Sequence, residues 1–84
     1  MSFLNINQAI CKAVDEHRSG ELEKAEALYR EILEVEPAHP DANHNLGLIM
    51  LSAGNAADSI PLFRSALSIS PNYHQYWISL IRAL

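Results

Sequence analysis

Few side chains in this 84-residue chain have the chemistry for catalysis or metal binding: one cysteine, four histidines and ten carboxylates. Cys11 and His17 are the candidates for a nucleophile and its base, a pair that must lie within hydrogen-bond reach. Six residues apart on one helix they face different directions, so thiol activation is not expected. HPDANH brings His39, Asp41 and His44 close in sequence. A metal needs three or four ligands converging on it. Asp41 and His44 stand one helical turn apart and could meet, but His39 falls in the turn before them and no further ligand joins. The segment therefore reads as surface and groove histidines. With no Gly-rich phosphate loop and no nucleophile elbow, the residues point away from an enzyme, a bound metal or a cofactor.

What holds these side chains is one small domain, 1–84, near the size at which a single core suffices. A hydrophobic content of 49% with 19% charged residues is that of a folded globular chain. The net charge of −4 would repel phosphate backbones, which argues against nucleic acid as a partner. MSFLNINQAICK lacks the basic start and cleavage pattern of a signal peptide. The longest apolar run, LGLIML, is far short of the ~20 residues needed to span a membrane. One cysteine excludes an internal disulfide, and the expected setting is soluble and cytoplasmic. Charge is uneven: from Ala42 to Ile81 only Asp58 and Arg64 are charged. Either Ser, Asn and His make that half polar, or much of it is covered by protein.

Proline and glycine punctuate the chain at a fixed interval. Gly20 and Gly54 lie 34 apart, as do Pro37 and Pro71, and the same shift aligns Leu28 with Leu62, Arg30 with Arg64 and Leu33 with Leu67. Tyr29 falls on Phe63 and Val35 on Ile69. Between these marks the apolar spacing is helical. Ile6, Ala9, Ile10, Ala13, Val14 and His17 share one face, then Leu22, Ala25, Leu28/Tyr29, Ile32 and Val35. Pro37 ends the second helix, and Pro40 and Asp41 open a third that stops at Gly54. A fourth is predicted over about 56–70 and a fifth over about 73–84. Pro61 conflicts with the fourth, straining it or shifting its start later. Five helices with tight turns imply an all-α fold of antiparallel neighbours.

A 34-residue unit of two helices resembles the tetratricopeptide repeat. In the second unit Leu46-Gly47, Phe63 and Pro71 match the pattern, Met50 takes an aromatic place, and Asn43 and Ser59 replace the usual tryptophan and alanine. The first unit matches through Gly20, Ala25, Tyr29 and Pro37, whereas Lys12 and Glu16 depart from it. That departure fits a terminal repeat, with the array expected to start near Met1. Trp77, Leu80 and Leu84 begin a third unit. The resemblance implies a right-handed superhelix with repeats at 6–39 and 40–73 and an incomplete third at 74–84. In style the repeats are similar to bacterial arrays that precede larger domains such as glycosyltransferases.

What the resemblance implies about function is peptide or protein binding on a concave surface lined by the first helix of each unit. Matching places puts Asn7, Ile10, Val14 and His17 on that surface, then Asp41, His44, Asn45 and Leu48, then Gln75, Ile78, Ser79 and Arg82. Asn45 can give and accept a hydrogen bond, which suits a peptide backbone, or it is simply a half-exposed polar residue. Cys11 and Ser79 hold its equivalent places, so no asparagine ladder forms, and a terminal-carboxylate clamp lacks its lysines. The acidic run 21–36 reads as a solvated outer face with Glu26–Arg30 paired.

The last helix is too apolar for one buried stripe. Tyr73, Tyr76, Trp77, Leu80, Ile81 and Leu84 form the expected self-association surface. Further helices of a longer chain, an identical copy or a different protein would each cover it, and a truncated array that self-associates is the favoured reading. The rival readings are an accessory region that selects protein substrates for a larger enzyme, and a purely structural oligomerisation unit.

Overall fold

The computed structural model describes residues 5–84, and Met1, near which the array is expected to begin, lies outside them. Five helices follow one another: α1 (Ile6–Arg18), α2 (Leu22–Val35), α3 (Pro40–Ser52), α4 (Ala56–Ile69) and α5 (His74–Ala83). No strand occurs among the described residues, and the architecture is an all-α helical repeat. The boundaries lie within a residue or two of those predicted from punctuation.

Local chemistry sets each end. Asn5 caps α1 by accepting from the Gln8 N–H at 3.1 Å. His39 caps α3 in the same way, its ring Nδ1 accepting from the Ala42 N–H at 3.1 Å. The two turns inside the repeats are copies of each other. Gly20 and Gly54 take positive φ of 81° and 87°, the left-handed geometry that glycine adopts without strain. Just after them, Glu21 N–H reaches Glu16 C=O and Asn55 N–H reaches Met50 C=O, both at 2.8 Å. These close the helix ends by the six-to-one bond of a left-handed cap.

Consecutive helices pack together, and α3 also touches α5. One core cluster is built around Ala13, Tyr29, Ile32, Leu46 and Ile49, and a second around Phe63, Leu67, Tyr76 and Leu80. They adjoin along α3. A Cβ on Gly47 would stand 2.6 Å from the Phe63 ring, so only glycine lets α4 lie this close. Seven of the residues of α3 are buried, which accounts for part of the low charge after Ala42.

Two expectations are corrected. Leu22 and Val35, placed on the buried stripe of α2, are exposed, because they lie at its ends beyond the reach of α1 and α3. Pro61 neither breaks α4 nor delays its start, which stays at Ala56. Both Pro61 and Ala57, whose carbonyl loses its N–H partner, are exposed, so water can satisfy the orphaned oxygen.

Candidate functional site

The sequence nominates one side of α1, α3 and α5 as a binding face, and the α3–α5 junction on that side is polar rather than apolar. Tyr76 donates its hydroxyl to Asp41 Oδ1 at 2.5 Å, and His44 Nε2 lies 2.7 Å from Ser79 Oγ. Each pair spans 35 residues, one repeat plus one position, so Asp41 and His44 on one face of α3 meet Tyr76 and Ser79 on one face of α5.

His44 is buried, stacked 4.7 Å from the Tyr76 ring and 5.6 Å from that of Phe63. Its Nδ1 faces Asn45 Oδ1 at 3.3 Å. A neutral ring protonated on Nδ1 satisfies both contacts, with Ser79 donating to Nε2. Burial pulls the His44 pKa below its ordinary value, against the opposing pull of Asn45 and Asp41. Burial also pushes the Tyr76 phenol up, helped by its hydrogen bond to Asp41 and by the Asp41 charge. The site is therefore built for a neutral imidazole and a protonated phenol.

Asn45 is half-buried beside them. Below it Tyr29 is fully enclosed, and its hydroxyl makes no hydrogen bond of normal geometry. Burial raises the Tyr29 pKa, and the nearby Asn45 amide only partly offsets that. The Asn45 amide lies near the Tyr29 hydroxyl without bonding it, so among the described residues that hydroxyl is unpartnered.

At one end of this face, His17 of α1, Leu48, Leu51 and Ser52 of α3 and Arg82 of α5 line a pocket of about 360 Å³. Three residues nominated from sequence, His17, Leu48 and Arg82, thus meet although they come from three helices. Asn7, Asp41, Gln75, Ile78 and Arg82 are exposed, and Ile10, Val14, His17, Asn45 and Leu48 half-buried. His44 and Ser79 are corrections: both are buried and bonded to each other in the α3–α5 junction, and neither lines the groove.

The outer side of α5 divides differently. Tyr76 and Leu80, expected on the self-association surface, are buried in the second core cluster, because α4 and α3 cover that side of the helix. Tyr73, Trp77, Ile81 and Leu84 remain exposed, Ile81 by 67% and Leu84 by 73%. Trp77 is tethered at its base, donating its indole N–H to the Pro71 carbonyl at 2.8 Å.

The other candidates are occupied elsewhere. His39 caps α3, Asp41 accepts from Tyr76, and no group of three metal-ligating side chains converges among the described residues. Cys11 is exposed, while His17 sits edge-on to Tyr29 at 6.2 Å. No helix among the described residues is long and apolar enough to cross a membrane. Sequence reasoning missed Asn43, treated only as a departure from tryptophan. It is buried and donates Nδ2 to the carbonyls of Pro37 and His39 at 3.0 and 2.9 Å. The signal that could have found it is the 34-residue shift, which sets Asn43 on Trp77. Among protein families, residues 12–74 match a model described as tetratricopeptide repeat.

Proposed function

Because the chain belongs to the tetratricopeptide repeat family, whose members are generally protein-interaction modules, we propose that it is a non-catalytic module that binds a peptide or protein segment in the groove of α1, α3 and α5. The observation that carries this reading is the pocket in which His17, Leu48 and Arg82 meet from three helices. A surface assembled from every first helix reads an extended ligand along its length. Asn45 and Gln75 offer amide donors and acceptors to a peptide backbone, Ile78 and Leu48 offer apolar contact, and Arg82 offers charge to a carboxylate. The exposed face of α5 is a second, apolar interaction surface, separate from the groove.

The test is a peptide selected from a display library on the full chain, with affinity then read by fluorescence anisotropy. Asn45→Ala and Arg82→Ala are each expected to weaken binding about tenfold with the helical circular dichroism unchanged, the loss of one hydrogen bond or ion pair. Unchanged affinity in both variants would remove the groove assignment.

A further inference from the structure

The internal repeat carries information about what can cover α5. Shifting by 34 sets Ile81 on Gly47 and, one unit earlier, on Ala13. Gly47 is where the Phe63 ring of α4 lies against α3, with no room even for a Cβ. Ala13 is fully buried in the cluster that holds Tyr29, the counterpart of Phe63. In the second unit, therefore, a small residue on the first helix faces the aromatic residue of the second, and in the first unit the equivalent small residue shares one core with the equivalent aromatic. At Ile81 a branched side chain fills that place. A helix with the aromatic residue of α2 or α4 cannot close on α5 as those helices close on α1 and α3.

We propose that the exposed face of α5 pairs with the same face of a second copy of this chain, antiparallel about a two-fold axis. This rests on the reading of that face as an interaction surface and is independent of groove binding. Tyr73, Trp77, Ile81 and Leu84 recur at i, i+4, i+8 and i+11 and form one stripe without a charge. Arg82, the only Lys, Arg, Asp or Glu in α5, lies off the stripe on the groove side. The same stripe is the counterpart that a second copy can offer. The solvent side of α1, which a head-to-tail stack would use, carries Lys12 and Asp15, both exposed. Setting Trp77 and Ile81 on them would take two charged side chains out of water against a stripe that carries no charge to meet them. Area is that of a weak self-pairing: the four side chains of the stripe expose on the order of 500 Å² per copy, below the roughly 800 Å² per partner of a standard interface. A reversible dimer with a Kd on the order of micromolar fits that size.

The test uses the full chain, with molar mass by light scattering and the emission of Trp77, the sole tryptophan, followed together over a wide dilution series. Expected are a mass that saturates at twice 9.4 kDa and a blue shift of Trp77 over the same concentrations. Ile81→Glu sets two carboxylates near the axis and is expected to weaken the dimer at least a hundredfold, with helicity unchanged because Ile81 is exposed. Arg82→Ala, on the groove side, is expected to leave the dimer intact, so loss of peptide binding and loss of pairing are read separately. A monomer throughout overturns the proposal, as does open-ended growth of the mass or a dimer that survives Ile81→Glu.

Discussion

Asn43 and Trp77, 34 residues apart, make the same bond. Asn43 donates Nδ2 to the Pro37 carbonyl at 3.0 Å, and Trp77 donates Nε1 to the Pro71 carbonyl at 2.8 Å. Each side chain reaches back six residues to pin the turn that joins one repeat to the next. The two differ in burial, Asn43 being enclosed and Trp77 about half exposed at 47%. Asn43→Ala is accordingly expected to cost about 1–2 kcal/mol in urea unfolding, and Trp77→Phe less than about 1 kcal/mol. Equal costs would mean that the turn bond contributes independently of burial.

Gly47→Ala is expected to destabilise by about 1–3 kcal/mol, because the added methyl meets the rim of the fully buried Phe63 ring. Combining it with Phe63→Leu tests the cause. The double variant should be less destabilised than the sum of the two singles, and strict additivity would place the strain elsewhere.

Two buried tyrosines should respond oppositely to loss of the hydroxyl. Tyr29 has no partner, so Tyr29→Phe is expected to leave stability unchanged or raise it by up to about 1 kcal/mol. Tyr76 ties α5 to Asp41, and Tyr76→Phe is expected to cost about 1 kcal/mol, a modest value because Asp41 is open to water. Thermal or urea unfolding of both variants decides it.

Stability should fall in mild acid. The folded-state pKa of His44 lies below its ordinary 6.5, so as pH drops through that value the unfolded chain takes up the proton first. The contribution of His44 is fully present above about pH 6.5 and is lost progressively below it. Asn45, Ser79, Asp41 and the rings of Tyr76 and Phe63 surround the imidazole, and none gives a cation a closed ion pair. Urea midpoints measured between about pH 7.5 and 5.5 should decline less steeply in His44→Gln than in the unmodified chain. An identical slope would remove His44 as the titrating group.

The helices were legible because their ends are written in local chemistry. Gly20 and Gly54 require positive φ, and Pro37 and Pro40 bracket a turn whatever surrounds them. The partition of α5 was not legible in the same way. Apolar side chains occupy more than half of its circumference, and periodicity cannot say which part turns inward until α4 is in place. Periodicity therefore groups Tyr76 and Leu80 with Trp77 and Ile81, whereas the 34-residue shift aligns them with buried Ala42 and Leu46. His44 failed for another reason: a polar residue beside a groove looks like a ligand contact when its partner, Ser79, stands 35 residues away. Helix phase depends only on the repeat register, and it brings Leu48 and Arg82 to one pocket and leaves Asn45 half-buried beside His44.

Packing chiefly between chain neighbours, with α3 also touching α5, governs how the molecule opens. No long loop must close before the first native contacts form, so folding can nucleate in either helical hairpin and spread outward. The reverse process should start at the margin. Ten-residue α5 is too short to persist alone, and it is held by α4 and by two polar bonds to α3. Amide exchange is expected to be fastest in α5 and slowest in α3, which is flanked on both sides. Whatever covers Trp77 and Ile81 would then act as a thermodynamic end-stop, slowing exchange in α5 without altering a single bond inside the repeats.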